Sequence, residues 1–248
     1  MKRLYGLIGF PLGHSFSARY FADKFQQEHL PECEYRNFPL ESILELPAML
    51  ENHPELCGFN VTIPYKQEVI PYLTDLGGEA REIGAVNCVK ITPKGLFGYN
   101  TDAYGFQKSL LELIGNKRPD ALILGTGGAS KAVAYVLKKL GIPFSFVSRQ
   151  SGDNRLTYSE LTPEVMETHK LIINATPLGT FPKITGCPAI PYETLTPAHF
   201  LFDLVYNPAL TEFLRRGQEQ GAAIRNGYDM LIGQAEKAWE IWNTTSHE

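Results

Sequence analysis

The stretch DALILGTGGASKAVAYVLKKLG, residues 120–141, predicts a strand, a glycine-rich turn and a helix in succession. Its beginning, DALILG, is a continuous apolar run of the kind found in strands that are buried on both faces of a sheet. The run ASKAVAYVLKKLG predicts a helix, and a glycine-rich turn joins the two. A turn between a strand and a helix is the context that a dinucleotide fingerprint requires. The segment therefore predicts one βα unit of a largely parallel sheet, with a turn that can hold a phosphate.

The turn GTGGAS spans residues 125–130. Glycines let a turn bend tightly and let backbone N–H groups approach a pyrophosphate, whose charge the helix N-terminus favours. Ser130 stands where the third glycine of G-x-G-x-x-G is usual, so the match is partial. A tight connection without a ligand is the alternative interpretation of this turn alone.

The next strand, PFSFVSR at 143–149, indicates which dinucleotide would bind. An NAD site usually carries Asp or Glu at the end of this strand, about 20 residues after the first glycines. Here Ser148, Arg149 and Gln150 stand in that place, and Arg149 follows Gly125 by 24 positions. A guanidinium can pair with a 2′-phosphate, which a carboxylate would repel. A solvated arginine is the alternative, but together with the glycine turn Arg149 favours NADP over NAD and over S-adenosylmethionine.

On both sides of this segment, apolar runs of strand length alternate with runs whose apolar residues repeat with a helical period, which predicts an α/β fold. Predicted strands lie at 3–10, 33–38, 57–63, 170–175 and 199–205, a hairpin joins 86–92 to 95–100, and further helices lie at 17–28, 46–52, 101–115 and 228–242. We divide the chain into a substrate-binding domain, 1–102, and a Rossmann-type domain, 103–225. The final helix has an apolar arc, so we expect 226–248 to return to the first domain.

Composition sets the broad class. Of 248 residues, 44% are hydrophobic and 20% are charged, as in soluble globular proteins. The net charge of −4 gives no reason to expect nucleic acid or an anionic membrane as a partner. Neither a signal sequence nor a membrane span is predicted, so we expect a cytoplasmic protein. The cysteines at 33, 57, 88 and 187 form no CxxC pair and no cluster with histidine, so no metal is expected.

Several polar residues of the first half stand out. Ser15 and Ser17 flank the start of the first helix, where two hydroxyls beside a helix N-terminus can seat a small carboxylate. Ser17 as a plain N-cap is the alternative for one of them. In GFNVTIPYK the polar residues Asn60, Thr62 and Lys66 share one parity. The residues between them, Val61, Ile63 and Tyr65, share the other, so we expect one polar face and one core face, although most lysines simply face water.

Three more polar side chains occupy informative places. Asn87 opens a predicted strand, and Asp102 lies in the first turn of the next helix with Thr101 as its expected cap. An acid in a first turn is explained by the helix dipole alone. Gln234 falls inside the apolar arc of the final helix, where an amide without partners would be costly. We therefore expect Gln234 to face a polar cleft.

With these residues assembled, the chain resembles the shikimate dehydrogenase family over essentially its whole length. The matching motifs, in order, are GxPLxHSxS, GFNVTIPYK, GAVN, GYNTD, GTGGAS, NATPLGT, DLVYNP and GYDMLIGQA. The resemblance implies a substrate domain completed by the last helix and a Rossmann NADP domain. It also implies reversible, NADP-dependent reduction of 3-dehydroshikimate to shikimate, a step of chorismate and aromatic amino acid biosynthesis. The expected partner is this small molecule, and the expected state is a monomer or homodimer.

The resemblance also assigns residues to roles. Lys66 and Asp102 would form the catalytic pair, and which of them supplies the proton stays open. The substrate-binding residues would be Ser15, Ser17, Asn60, Thr62, Asn87, Tyr206 and Gln234. The cofactor-binding residues would be Gly125, Gly127, Gly128, Ala129, Ser148, Arg149, Thr176 and Gly227. The chain departs from the family pattern at Ala18, at Ala103 and in SRQ at 148–150, which replaces NRT.

Two alternatives remain. A quinate or shikimate dehydrogenase with relaxed use of NAD and NADP would keep the same catalytic pair; the paired serines favour shikimate. A non-catalytic dinucleotide-binding regulator would keep the fold, but it would have no use for both Lys66 and Asp102.

Overall fold

The computed structural model describes residues 2–13, 16–152 and 155–244. The chain forms two compact units. The first unit comprises the chain up to Thr101 together with the chain from Ala235, and the second unit is Asp102–Gln234. The sequence interpretation placed these divisions after residues 102 and 225. The C-terminal return to the first unit thus begins inside the last helix of the structure.

The first unit is built on a mixed six-stranded sheet. Its strands are β1 (Arg3–Gly9), β2 (Cys33–Pro39), β3 (Leu56–Val61), β4 (Asp75–Leu76), β5 (Cys88–Thr92) and β6 (Gly95–Tyr99), in the spatial order β2-β1-β3-β5-β6-β4. Its helices are α1 (Phe16–Gln27), α2 (Leu46–Asn52) and α3 (Gly78–Ile83). Strands β2 and β3 both run parallel to β1. The predicted hairpin is confirmed as the antiparallel pair β5–β6.

Successive residues of β1 face opposite sides of the sheet, and each side carries its own core. Leu4 and Ile8 belong to the cluster that includes Phe59. Tyr5 belongs to a second, aromatic cluster, where its ring stacks 4.9 Å from that of Trp242. The end of the C-terminal helix is therefore part of the core of the first unit.

The second unit contains an entirely parallel sheet. Its strands are β7 (Ala121–Leu124), β8 (Phe144–Ser148), β9 (Arg155–Thr157), β10 (Leu171–Asn174), β11 (Phe200–Asp203) and β12 (Ala223–Arg225), in the spatial order β9-β8-β7-β10-β11-β12. Its helices are α4 (Thr101–Ile114), which begins at the division, α5 (Gly128–Lys139), α6 (Pro163–Thr168), α7 (Glu212–Glu219) and α8 (Tyr228–Asn243), which continues into the first unit. Numbered within the unit, this order is 3-2-1-4-5-6, which is the Rossmann order. β8 and β9 are added on one side of β7, and β10, β11 and β12 are added on its other side, so the topological switch point lies between β7 and β10.

The strands and helices with long apolar patterns are confirmed, and several short elements were missed. The missed elements are β4, β9, β12, α3, α6 and α7. Each of them spans two to eight residues. Within the described ranges, none of the helices is both long and apolar enough to cross a bilayer.

Candidate functional site

The switch point of the second unit brings two predicted cofactor residues together. Leu124 pairs in register with Asn174, so the loops after β7 and β10 leave the sheet side by side. Gly125 has a φ of 101°, in the left-handed region that favours glycine. A Cβ on Gly125 would lie 3.0 Å from Cγ2 of Thr176. Ligands of open parallel sheets bind at this edge, so Gly125 and Thr176 lie at the expected place.

The glycine turn leaves room at the start of α5. A Cβ on Gly127 or on Gly128 would meet no atom within 4 Å. Gly127 is the N-cap of α5 and makes no side-chain cap bond, and the first turn carries no acid. Open space before uncapped N–H groups at the positive end of a helix suits a pyrophosphate. The residues present therefore fit a dinucleotide, with Ala129 in the first turn of the helix.

Ser130 explains why the partial glycine fingerprint still makes this turn. Its side chain is buried, and its hydroxyl donates a 2.6 Å hydrogen bond to the carbonyl of Gly127. The serine therefore closes the turn internally.

The end of β8 carries a cation. Arg149 is exposed, and its positive charge opposes the rise in the pKa of Tyr158 that burial causes. Ser148 is used locally, because its hydroxyl accepts from the backbone N–H of Gln150 at 3.3 Å and donates to the carbonyl of the same residue. No carboxylate lies in the segment 148–151. The second strand of the Rossmann order thus ends in a group that attracts a phosphate.

A buried network that the sequence interpretation missed supports the loop after β10. Asn174 Oδ1 accepts from the backbone N–H of Thr176 at 3.0 Å and from its hydroxyl at 2.6 Å. The amide Nδ2 of Asn174 donates to Oδ1 of Asp203 at 2.9 Å. Asp203 is fully buried, and burial raises its pKa to about 6 in spite of the hydrogen bonds that its carboxylate accepts. The apolar run FLFD, which ends in a carboxylate, is the signal that could have found it.

Four other predicted residues lie in the second unit. Asp102 is in the first turn of α4. Tyr206 follows β11, is 36% exposed, and has a pKa that burial raises. Gln234 is buried, and its Nε2 donates to the carbonyl of Leu231 at 2.9 Å. A Cβ on Gly227 would lie 2.2 Å from the carbonyl oxygen of Leu204, so packing alone requires glycine there.

In the first unit, two buried asparagines organise a polar cluster. Asn60 lies at the end of β3 and Asn87 just before β5, and they are 4% and 3% exposed. Asn60 Nδ2 donates to the backbone carbonyl of Asn87 at 3.1 Å, and Asn60 Oδ1 accepts from the hydroxyl of Tyr35 at 2.8 Å. Strands β3 and β5 are antiparallel, and Asn60 pairs in register with Cys88, the residue after Asn87, so the two asparagines lie beside each other where β3 ends and β5 begins.

Asn87 also anchors the start of α4. Its Oδ1 accepts from the backbone N–H of Thr101 at 2.6 Å, and its Nδ2 donates to the Thr101 hydroxyl at 2.9 Å. Thr101, expected as the cap of this helix, is its first residue, and its hydroxyl is bonded to Asn87. The residue that follows Thr101 in the chain is Asp102.

The predicted alternation after Asn60 stops at the end of β3. Ile63, expected on the core face, is 74% exposed, and this expectation is wrong because β3 ends at Val61 and turns follow it. Thr62 is half-buried beside Gly9, where a Cβ would lie 2.4 Å from Thr62 Cγ2. Lys66 is half-buried on the following turn, and its carbonyl accepts from the N–H of Val86 at 2.7 Å.

The two predicted serines differ in outcome. Ser15 lies outside the described residues. Ser17 lies inside α1, which begins at Phe16, so its interpretation as an N-cap is wrong. The hydroxyl of Ser17 hydrogen-bonds to that of Tyr35, a residue of β2 that the sequence interpretation missed. Tyr35 joins Ser17 to Asn60 across long sequence separations, and no local pattern marks it.

Together, these features define a class: a protein with a Rossmann-type dinucleotide-binding unit and a second α/β unit that carries a buried polar cluster. The family model described as "Shikimate dehydrogenase substrate binding domain" matches residues 7–89. The chain belongs to the shikimate dehydrogenase family, as its resemblance predicted.

Individual relatives match along nearly the whole chain. The shikimate dehydrogenase (NADP(+)) of Clostridium beijerinckii is 38% identical over 252 residues, which cover 96% of this chain and 91% of the relative. The crystal structure of shikimate 5-dehydrogenase from Thermus thermophilus, in complex with NADP(H) and shikimate, is 30% identical with a TM-score of 0.85, over 97% of this chain and 93% of that one. Quinate dehydrogenase from Corynebacterium glutamicum, in complex with NAD, is 28% identical with a TM-score of 0.86, over 98% and 94% of the two chains.

Proposed function

We propose that the protein is an NADP-dependent shikimate dehydrogenase, which reversibly reduces 3-dehydroshikimate to shikimate. The observation that carries the proposal is the similarity to curated shikimate dehydrogenases (NADP(+)) along 96% of the chain. The product leads to chorismate and the aromatic amino acids, so the enzyme serves their biosynthesis. Lys66 and Asp102, in the motifs NVTIPYK and NTD, favour an enzyme over a regulator that only binds a dinucleotide.

The glycine turn and Arg149 hold the cofactor in this proposal. The backbone N–H groups of Gly127, Gly128 and Ala129 bind the pyrophosphate, and Gly125 gives the turn its bend. Arg149 pairs with the 2′-phosphate, and Ser148 shapes the turn beside it. Thr176, Tyr206 and Gly227 border the nicotinamide end. Bound NADPH supplies the hydride.

The polar cluster of the first unit holds the substrate. Ser15 and Ser17 bind its carboxylate, and Asn60, Thr62 and Asn87 bind its hydroxyls together with Tyr206 and Gln234. The burial of Asn60 and Asn87 supports this role, since buried amides exchange hydrogen bonds in a medium of low dielectric constant. Such a site rejects analogues that leave a buried amide unpaired.

Lys66 and Asp102 are the proposed catalytic pair. Reduction of a ketone develops negative charge on its oxygen, and an ammonium group stabilises this charge and donates a proton. Lys66 does this in the direction of reduction and takes the proton back in oxidation. Asp102 accepts a hydrogen bond from the substrate and so orients it. Neither role requires a metal ion.

A quinate or shikimate dehydrogenase with relaxed use of NAD and NADP is the second candidate. Two observations favour it: SRQ stands in place of NRT at 148–150, and the NAD-bound quinate dehydrogenase has the same fold. The residue Arg149 argues for NADP, because a guanidinium adds little to the binding of a cofactor that lacks the 2′-phosphate.

One set of assays separates the candidates. NADPH and NADH oxidation is followed with 3-dehydroshikimate and with 3-dehydroquinate, on the wild type, Lys66→Ala and Lys94→Ala. Lys94 is an exposed lysine in the β5–β6 turn of the same unit and is the control. We expect kcat to fall at least about 100-fold in Lys66→Ala, the scale of a lost general acid, and to stay unchanged in Lys94→Ala. Wild-type turnover in Lys66→Ala would refute the catalytic role.

The cytoplasmic location and the monomeric or homodimeric state stay predictions. Light scattering on the purified protein measures the second.

A further inference from the structure

The hydroxyl of Tyr35 lies between two residues that the proposed function assigns to the substrate. It donates a hydrogen bond to Oδ1 of Asn60 at 2.8 Å and accepts one from the hydroxyl of Ser17. The ring of Tyr35 stacks on that of Phe21, with centroids 4.7 Å apart and planes 14° from parallel. Packing therefore holds the ring in place, and the hydroxyl bridges a helix and a neighbouring strand.

This bridge determines which end of the Asn60 amide is an acceptor. The carbonyl and NH₂ ends of an asparagine side chain have the same shape but opposite hydrogen-bonding roles. Tyr35 donates to Oδ1, and Nδ2 donates to the carbonyl of Asn87 at 3.1 Å, so both contacts select the same orientation. One of the two Nδ2 hydrogens is used by Asn87. The other suits an oxygen acceptor, such as a hydroxyl or carbonyl of the substrate.

The hydroxyl of Tyr35 stays protonated at neutral pH. Burial holds the pKa of Tyr35 well above its usual range, and the hydrogen bond from Ser17 lowers it by less. The hydroxyl therefore remains a donor to Asn60 throughout the neutral pH range.

We propose that Tyr35 is a positioning residue for substrate recognition: its hydroxyl fixes the orientation of the Asn60 amide and the position of the Ser17 hydroxyl. It thereby keeps the group that binds the carboxylate at a fixed place relative to the group that binds a ring hydroxyl. The inference rests on the proposed shikimate dehydrogenase function. Tyr35 acts through Ser17 and Asn60 and transfers no proton in the reaction.

Tyr35→Phe tests the role, because it keeps the ring stack and removes only the hydroxyl. We expect KM for shikimate to rise about 10-fold, the scale of one or two lost hydrogen bonds, with kcat and KM for NADP⁺ changed by less than about twofold. Tyr192→Phe is the matched control, since Tyr192 is a buried tyrosine of the second unit whose hydroxyl donates to the carbonyl of Pro188 at 2.9 Å. This control is expected to lose stability and to keep its KM for shikimate.

A double-mutant cycle with Ser17→Ala separates positioning from packing. If Tyr35 acts partly through Ser17, the effect of Tyr35→Phe on KM is smaller in the Ser17→Ala background than in the wild type. Reduced thermal stability of Tyr35→Phe with an unchanged KM for shikimate would overturn the inference and leave the proposed function intact. A wild type that does not oxidise shikimate with NADP⁺ would overturn both.

Discussion

The hydroxyl of Thr211 donates a 2.6 Å hydrogen bond to Oδ2 of Asp203, whose Oδ1 accepts from Asn174 and from the backbone N–H of Val205. Three donors thus surround a fully buried carboxylate at the end of β11. Burial nevertheless dominates and raises the pKa of Asp203 from 3.8 to about 6. Asp203 supports the loop that carries Thr176, because it accepts a hydrogen bond from Asn174. It is also a buried group that titrates near neutral pH.

Asp203 should make the stability of the protein depend on pH. Between pH 3.8 and about 6 the folded state binds the Asp203 proton more tightly than the unfolded state. The stabilisation by this proton is present at low pH and is lost as pH rises through about 6. We expect the free energy of unfolding of the wild type, relative to Asp203→Asn, to decrease by roughly 2 kcal/mol from pH 4 to pH 7.

Urea unfolding of both variants at each pH measures this difference. Taking the difference cancels other groups, such as His199, whose pKa is lowered by burial in both variants. Parallel pH profiles for the two proteins would show that Asp203 does not titrate in this window.

The glycines of the turn are expected to separate stability from cofactor binding. Gly127 has a φ of −78°, which alanine adopts freely, and its Cβ would meet open space. Gly127→Ala should therefore leave the fold as stable as the wild type or slightly more so. It should weaken NADP⁺ binding at least about 10-fold, because the methyl group would lie where we propose that the pyrophosphate binds.

Gly125→Ala is the matched comparison. Its φ of 101° and the 3.0 Å distance to Thr176 Cγ2 predict a loss of folding stability of about 1 kcal/mol or more. Thermal unfolding and titration of NADP⁺ by fluorescence measure both properties. If Gly127→Ala bound NADP⁺ as well as the wild type does, the turn would not be the pyrophosphate site.

Local patterns predicted much of the fold and of the glycine turn. β7 and α5 are adjacent in sequence, so their apolar runs and the glycines between them carry the information in one segment. α8 was predicted from its period, and its return to the first unit from its apolar arc. β4, with two residues, exists only because β6 pairs with it, and no sequence pattern of that length could show this.

The candidate site shows the same limit. Asn60 and Lys66 were predicted as site residues because they share a short motif. Tyr35 was missed because its partners, Asn60 and Ser17, come from a different strand and from a helix. Asp203 was missed because its role depends on its burial by surrounding elements, and the residues beside it in sequence do not indicate this burial. Hydrogen bonds between distant segments are therefore what the structure adds.

Arg149 should decide between the two dinucleotides. Arg149→Asp places a carboxylate at the end of β8, where it repels a 2′-phosphate and can accept from ribose hydroxyls. We expect the ratio of kcat/KM for NADP⁺ to that for NAD⁺ to fall at least about 100-fold, since one or two charge-assisted hydrogen bonds are lost and a repulsion is added. Lys138→Ala, in the last turn of α5, is the control for a general loss of positive charge. An unchanged ratio in Arg149→Asp would place the 2′-phosphate elsewhere.

Trp242 should be a main determinant of the stability of the first unit. Its indole Nε1 donates to the carbonyl of Val89 at 3.0 Å, its ring stacks on Tyr5, and it is 5% exposed. Trp242→Ala should lower the free energy of unfolding by about 3 to 5 kcal/mol, through lost burial and the cavity left behind. Trp242→Phe keeps most of the aromatic contact and leaves the Val89 carbonyl without its donor, so it should lower the free energy of unfolding by about 1 to 3 kcal/mol.

Urea unfolding of the full chain measures the effect of both substitutions. Leu44→Ala is the control, since Leu44 is 76% exposed, and its free energy of unfolding should stay within about 0.5 kcal/mol of the wild type. A Trp242→Ala protein as stable as this control would mean that the C-terminal helix does not hold the core of the first unit together.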